Sequence, residues 1–184
     1  MTATGRLQCE IAVVGSGPGG AITACLLAEA GRDVLLLEEG ADHPVDAPPP
    51  YSLAEMAAKY RNGGLTVTLG NPKVTYVEGR ALGGGSEINS GLYHRTPPEV
   101  LSGWRRDWQV EALTEADLEP HFAACERALS VSPSPAPPPA AALRLREGAR
   151  RLGWASQEVP RWFRYADAAD RAGARQSMRA TFLP

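Results

Sequence analysis

A short glycine-rich turn between two apolar segments constrains this chain more than any other feature. Residues 10–14 (EIAVV) are apolar and rich in β-branched side chains, which predicts a buried strand. Residues 21–30 (AITACLLAEA) predict a helix that stops at Gly31, and residues 33–38 (DVLLLE) predict a second buried strand. Because crossovers between parallel strands are right-handed, we expect a β-α-β unit whose two strands are parallel. The turn that opens the helix is Gly15-Ser16-Gly17-Pro18-Gly19-Gly20.

The spacing of three glycines in this turn is typical of a loop that binds the pyrophosphate of a dinucleotide. Gly15 permits the tight turn, Gly17 lets phosphate oxygens approach the backbone, and Gly20 lets the helix pack against the strand. The anion then lies at the positive end of the helix dipole. Glu38, 23 positions after Gly15, can accept hydrogen bonds from ribose hydroxyls and would repel a 2′-phosphate, which argues against NADP. These residues do not decide whether the bound dinucleotide is FAD or NAD.

A second glycine-rich segment, Gly79 to Tyr93 (GRALGGGSEINSGLY), also has the character of a ligand-binding loop. Its three consecutive glycines expose backbone N–H groups to a close ligand. Arg80 offers a charge, and Ser86 and Asn89 offer side-chain hydrogen bonds. A flexible surface loop fits poorly, because apolar residues are interleaved with the polar ones at Leu82, Ile88 and Leu92.

These two segments together resemble the glucose–methanol–choline (GMC) oxidoreductase family. That family combines the amino-terminal dinucleotide loop with a signature of the form G-R-x-L-G-G-[GST]-S-x-[IV]-N-x-x-x-[YFW], which matches from Gly79 through Tyr93. Thr96 is a departure, because the family usually has Pro, Ala or Gly at this position after the signature. Residues 178–184 (MRATFLP) resemble a further segment of the family. The resemblance covers essentially the whole chain. It implies an α/β, Rossmann-like FAD-binding fold, in which the β-α-β unit begins a mostly parallel sheet that is incomplete within this fragment.

The resemblance also implies FAD as the cofactor and a set of residues around it. The first glycine loop and Glu38 would hold the ADP half, residues 80–86 would lie along the pyrophosphate and ribityl chain, and residues 89–92 would run beside the isoalloxazine ring. The cofactor-binding candidates are Gly15, Ser16, Gly17, Pro18, Gly19, Gly20, Glu38, Glu39, Arg80, Gly84, Gly85, Ser86, Asn89, Ser90, Gly91 and Leu92.

Family members oxidise an alcohol by hydride transfer to flavin N5, while a histidine accepts the hydroxyl proton. That histidine lies near the carboxyl end of much longer chains, so we assign no catalytic residue and no metal ligand here. The expected partners are a small-molecule alcohol and either a missing C-terminal half or a complementary chain. Residues 89–95 favour a long-chain alcohol or a sterol over a sugar.

The remaining sequence predicts the domain organisation. Residues 53–60, 114–129 and 141–152 predict helices, and residues 65–69 and 74–77 predict paired strands. The proline-rich residues 131–139 (VSPSPAPPP) can be neither helix nor central strand. We therefore expect the amino-terminal part of an FAD-binding domain over 1–130, a linker over 131–142, and a helical or irregular segment over 143–184 that leads into the missing remainder.

Composition excludes several other classes. The net charge of −2 excludes a strongly basic nucleic-acid binder, although residues 141–184 carry nine arginines against four acids. That basic stretch is either a solvated helical face or a surface for an acidic partner. Three cysteines without regular spacing favour a reducing compartment, and no apolar run approaches the ~20 residues of a membrane span, so we expect a cytoplasmic protein without a transmembrane segment.

Two other functions fit parts of the sequence. One is a non-catalytic flavin- or nucleotide-binding module that docks to a partner. The other is a different FAD enzyme, such as a hydroxylase, which would share the first glycine loop; the segment from Gly79 to Tyr93 argues against it.

Overall fold

The structure is a computed structural model that describes residues 5–44, 48–49, 51–166, 173–175 and 177–183. The chain divides into two compact units, which we call unit 1 (residues 1–90 and 177–184) and unit 2 (residues 91–176). This division differs from the expected boundary at residue 130. The proline-rich residues 131–139 lie inside unit 2, and the final residues of the chain belong to unit 1.

Unit 1 begins with the predicted β-α-β unit. Strand β1 (Ile11–Val14) pairs in parallel with β2 (Val34–Leu37), and helix α1 (Pro18–Glu29) connects them. Proline is favourable at the first helical position, because the N–H of any residue there would have no hydrogen-bond partner within the helix and its loss costs nothing. Both apolar segments thus form strands and the Ala-rich segment forms a helix, as their sequence patterns predict.

The rest of unit 1 consists of short elements. Ser52 caps helix α2 (Leu53–Lys59) by accepting a hydrogen bond from Glu55 N. A 3₁₀ turn follows, and then β3 (Thr66–Val67) pairs antiparallel with β4 (Thr75–Tyr76), as the sequence predicts. A second 3₁₀ turn covers Gly84–Glu87, within the second glycine-rich segment.

The described residues of unit 2 form three helices and a small sheet. The helices are α3 (Pro98–Trp108), α4 (Glu115–Ala128) and α5 (Ala140–Arg151). The strands β5 (Val131–Ser132), β6 (Arg161–Arg164) and β7 (Ala174–Arg175) are antiparallel, with β6 in the centre. Thr114 and Asp117 form the predicted capping box at the start of α4. The proline-rich stretch contributes only its first two residues to the sheet, as an edge strand.

Arg95 ties the chain before α3 to one face of α4. Its guanidinium donates to both oxygens of Glu126 at 2.6 and 2.8 Å, pairs with Glu119, and lies 5.5 Å from the ring centre of Phe122. These three residues of α4 share a face because they are spaced i, i+3 and i+7. Tyr93 adds a hydrogen bond of 2.9 Å to Glu126. The hydrogen bonds from Arg95, with a smaller contribution from Tyr93, lower the pKa of Glu126 to about 2.

The last helix, α6 (Met178–Phe182), belongs to unit 1 and packs near the second glycine segment. Met178 is buried, and its N–H donates to the Ser86 hydroxyl at 3.0 Å. Arg179 pairs with Asp42, which follows β2. In the described part of the chain, no helix is long and apolar enough to cross a bilayer.

Candidate functional site

Ser16 connects three predicted site segments of unit 1. Its side chain is fully buried. The Ser16 hydroxyl donates to Glu38 Oε2 at 2.6 Å and accepts from Gly83 N at 2.9 Å, while Ser16 N donates to the same Glu38 oxygen at 2.8 Å. The first glycine loop, the end of β2 and the second glycine segment therefore meet at one hydroxyl. We call this meeting point the glycine junction.

Glu38 is an ionised acceptor within the glycine junction. Burial alone would raise the pKa of its carboxyl, but the hydrogen bonds from Ser16 and from Gly40 N outweigh burial, and the pKa is lowered. A carboxylate can accept about four hydrogen bonds. Ser16 and Gly40 provide three of them, and the Glu39 N–H is a further donor that lowers this pKa. The contact between Glu38 and a ribose hydroxyl stays a prediction, and it requires the hydroxyl to share or replace one of these donors.

The two glycine segments approach so closely that side chains are excluded between them. A Cβ atom on Gly84 would lie 2.8 Å from Gly17 Cα, and Gly84 has a φ of +57°, in the left-handed region. A Cβ on Gly20 would lie 1.8 Å from the carbonyl oxygen of Gly15. Both close contacts involve backbone atoms, which cannot turn away as a side chain can. Glycine is therefore required at these positions by the protein itself.

Other glycines of the same segments face open space instead. A Cβ on Gly15, Gly17, Gly19 or Gly85 would meet no described atom within 4 Å. Gly17 is the N-cap of α1, and among the described residues no side chain caps this helix end. The first-turn N–H groups of a helix require partners from outside it. An open space bordered by glycine beside an uncapped helix N-terminus fits a phosphate group of a dinucleotide.

The second glycine segment also packs closely against the chain that follows β2. Leu82 N donates to the Ala41 carbonyl at 3.0 Å, and a Cβ on Gly40 would lie 2.3 Å from Ala81 N. Arg80 N donates to the Lys59 carbonyl at 2.7 Å, while the Arg80 side chain remains exposed. Residues 79–82 are thus fixed by backbone contacts on both sides.

An open cavity of about 510 Å³ adjoins this segment in unit 1. Two predicted site residues, Gly85 and Asn89, contribute to its wall. The lining consists of Arg61, Val77, Glu78, Gly79, Gly85, Ile88 and Asn89. Its polar groups include both a cation and an acid, so the cavity could accept a polar ligand.

Glu39 and Ser86 have partners within the protein. Glu39 pairs with Arg61, which lowers the Glu39 pKa, and the charge of Arg80 contributes to the same effect. Ser86 is fully buried, and its hydroxyl donates to the Gly83 carbonyl at 2.7 Å and accepts from Met178 N. In the structure this hydroxyl joins the second glycine segment to α6. A contact between Ser86 and the cofactor stays a prediction.

The last four candidates fall on both sides of the division between the units. Asn89 and Ser90 belong to unit 1, and Gly91 and Leu92 belong to unit 2. Gly91 is buried against β6, where its carbonyl accepts from Trp162 N at 3.0 Å, and Leu92 forms a bridge with Arg161. Their place beside the flavin ring stays a prediction.

The histidines give no sign of a catalytic arrangement. His94 and His121 are exposed, and His43 is half-buried. Within the residues that the structure describes, no group of three or more His, Cys, Asp or Glu side chains is arranged to hold a metal ion.

Comparison with known proteins identifies the family. The family model described as GMC oxidoreductase matches residues 56–184, and one described as an NAD(P)-binding Rossmann-like domain matches residues 13–44. The chain belongs to the GMC oxidoreductase family. This membership confirms the prediction of the family, of a Rossmann-like α/β fold and of FAD as the cofactor.

Individual relatives agree with this assignment. An uncharacterized GMC-type oxidoreductase of Sinorhizobium fredii is 37% identical over 97% of this chain and 37% of its own length. A long-chain-alcohol oxidase of Arabidopsis thaliana is 31% identical over 85% of this chain and 21% of its own length. The crystal structure of pyridoxine 4-oxidase from Mesorbium loti aligns with a TM-score of 0.67 at 20% identity, over 96% of this chain and 40% of that one, and shows the same fold. The chain thus spans about one to two fifths of the length of these proteins.

Proposed function

We propose that this chain is the FAD-binding part of an oxidoreductase that acts on the CH–OH group of alcohols. The observation that carries the proposal is the glycine junction, where glycine is required between the two segments and open space adjoins the uncapped start of α1. When bound, FAD supplies the hydride acceptor at N5. The kinship to long-chain-alcohol oxidases supports an alcohol as the donor, and we propose an aliphatic long-chain alcohol.

The residues of this chain bind and orient the cofactor in this proposal. The first turn of α1 receives the pyrophosphate, and Glu38 accepts a hydrogen bond from the ribose. Gly84 and Gly85 let the second segment approach the cofactor, with Arg80 nearby as a cation. Residues 89–92 lie on the side of the flavin ring. We assign the proton acceptor to no residue of this chain.

We further propose that additional polypeptide covers the parallel strands. Val14 and Leu37 at the ends of β1 and β2 are exposed, although parallel strands are normally covered on both faces. Either the C-terminal half expected from the longer relatives or a complementary chain would bury these residues. Experiments on activity therefore need the protein expressed from its whole reading frame.

The substitution Gly17→Val tests the binding of FAD. A Cβ atom at this position meets no described atom within 4 Å, and the backbone at Gly17 is extended (φ −62°, ψ −178°), so the fold should tolerate valine. The added methyl groups would occupy the space that we assign to the pyrophosphate. We expect the content of bound FAD to fall by roughly tenfold or more, while the melting temperature of the FAD-free protein stays unchanged.

Gly148→Ala and Cys125→Ala serve as controls, because Gly148 is exposed and Cys125 lies on α4, in unit 2. Both variants should retain FAD. Undiminished FAD in Gly17→Val would show that this loop does not hold the pyrophosphate.

The identity of the donor is tested separately by anaerobic reduction of the bound flavin. Primary alcohols of increasing chain length should bleach the flavin absorbance, and longer chains should do so at lower concentration. A protein that holds FAD but is bleached by no alcohol would contradict the proposed donor and favour the non-catalytic module.

A further inference from the structure

Helix α5 (Ala140–Arg151) presents both a cationic and an apolar surface to solvent. Ten of its twelve residues are exposed. Four arginines against one acid, Glu147, give the helix a net charge of +3. Glu147 pairs with two of these arginines at 2.9 and 2.8 Å, which leaves the excess positive charge in place. The arginines are Arg144, Arg146, Arg150 and Arg151.

The apolar residues of α5 form a stripe along one side. Ala141, Leu145, Gly148 and Leu152 follow each other at spacings of four, three and four residues, which places them on one helical face. Leu145 is 76% exposed and Leu152 is 64% exposed. Leu143 is also exposed, but it lies outside this stripe. These two leucines, on a helix that carries a net positive charge, make α5 an exposed amphipathic surface.

The end of the helix adds an aromatic residue to this surface. Gly153 has a φ of +70°, and Trp154 N donates to the Ala149 carbonyl at 2.9 Å, a geometry that folds the chain back onto the last turn. Trp154 therefore stays next to the helix end, and it is 69% exposed. Tryptophan is favourable where an apolar and an aqueous phase meet, because its ring is apolar and its N–H is polar.

We propose that α5 binds the surface of a membrane that contains anionic phospholipids. A helix with a leucine stripe, arginines beside it and a tryptophan at its end is suited to lie in the interface plane, with its apolar side among the acyl chains. Arg144 and Arg151, seven residues apart, border the leucine stripe, so their side chains can reach the phosphates beside it. The net charge of +3 on α5 is complementary to the negative charge of such a surface.

Flotation with lipid vesicles tests this proposal, because aggregated protein sinks while vesicle-bound protein floats. The protein from the whole reading frame is mixed with vesicles of phosphatidylcholine alone or of phosphatidylcholine with phosphatidylglycerol. We expect the floating fraction to be about tenfold larger with the anionic vesicles at low salt, and to fall at high salt.

A matched pair of double variants locates the binding surface. Leu145→Gln with Leu152→Gln removes the apolar stripe and should reduce the anionic floating fraction by about tenfold. Leu65→Gln with Leu69→Gln changes two leucines of unit 1 that are even more exposed, and it should change the floating fraction by less than about twofold.

Three results would overturn the proposal. The first is no flotation of the wild-type protein with anionic vesicles, or equal flotation with neutral ones. The second is an equal loss in both double variants. The third is self-association or loss of bound FAD in the Leu145 and Leu152 variant alone, which would show that the stripe packs against protein.

Discussion

The glycine junction of unit 1 and the Arg95 cluster of unit 2 each join segments that are distant in sequence, but by opposite means. The junction brings the backbones of Gly17 and Gly84 into direct contact beside one small buried hydroxyl, and Gly20 packs closely against Gly15 within the first loop. The cluster joins Arg95 to α4 through long, partly exposed side chains. Backbone contact leaves no freedom to adjust, whereas long side chains can rearrange. We therefore expect substitutions at Gly20, Gly84 and Ser16, where an added or lost atom disturbs a buried contact, to lower the free energy of unfolding far more than substitutions at the cluster.

The largest effect should come from Gly20→Ala. The new Cβ would lie 1.8 Å from the carbonyl oxygen of Gly15, so α1 has to move away from β1. We expect a loss of about 3 kcal/mol or more in the free energy of unfolding, measured by urea denaturation. Gly148→Ala, on the exposed side of α5, should instead stabilise by about 0.5–1 kcal/mol. Equal stabilities of the two variants would remove the steric argument for the junction.

A smaller loss is expected for Ser16→Ala. Its hydroxyl is the partner of both Gly83 N and Glu38, and alanine leaves the buried N–H without an acceptor. The expected cost is about 1–3 kcal/mol in the same measurement. Ser102→Ala is a suitable control, because the Ser102 hydroxyl is exposed and bonds only to its own helix. A change of less than about 0.5 kcal/mol is expected there.

The smallest effect should come from Glu126→Gln, and it should depend on pH. Because the pKa of Glu126 is lowered to about 2 from an ordinary value of 4.5, its stabilisation is complete above pH 4.5 and is lost as the pH falls towards 2. At neutral pH the variant should lose about 1 kcal/mol, and the difference from wild type should shrink through that window. Urea denaturation of both proteins at a series of pH values measures this difference in the free energy of unfolding. A difference that is independent of pH would show that the charge of Glu126 is not what stabilises the cluster.

The sequence predicts the elements whose signals are local. The β-α-β unit follows from two apolar runs around a glycine turn, and α4 follows from the capping box of Thr114 and Asp117. Helix α3 has no such signal, because Pro97 and Pro98 read as a loop, although proline is acceptable at the first helical position. Local patterns thus succeed where one short segment decides its own structure.

Contacts between distant segments could not be predicted in the same way. The sequence indicates that Gly17 and Gly84 are both needed near a ligand, but not that they touch each other. The prolines predict a domain boundary at residue 130, whereas Val131 and Ser132 pair with β6, about thirty residues later. The sequence also does not predict that the Ser16 hydroxyl bonds both Glu38 and Gly83 N, because a serine within a glycine turn gives no indication of its distant hydrogen-bond partners.

The return of α6 to unit 1 has a consequence for synthesis on the ribosome. The Ser86 hydroxyl accepts a hydrogen bond from Met178 N, which lies 92 positions later in the chain. This contact cannot form when the second glycine segment has just emerged from the ribosome, because Met178 has not yet been synthesised. Closing so long a loop in an unstructured chain costs about 4 kcal/mol. Prior folding of unit 2 reduces that cost, because fewer flexible residues then remain between the two ends. The second glycine segment should therefore gain its final rigidity late in translation, after the inserted unit has folded.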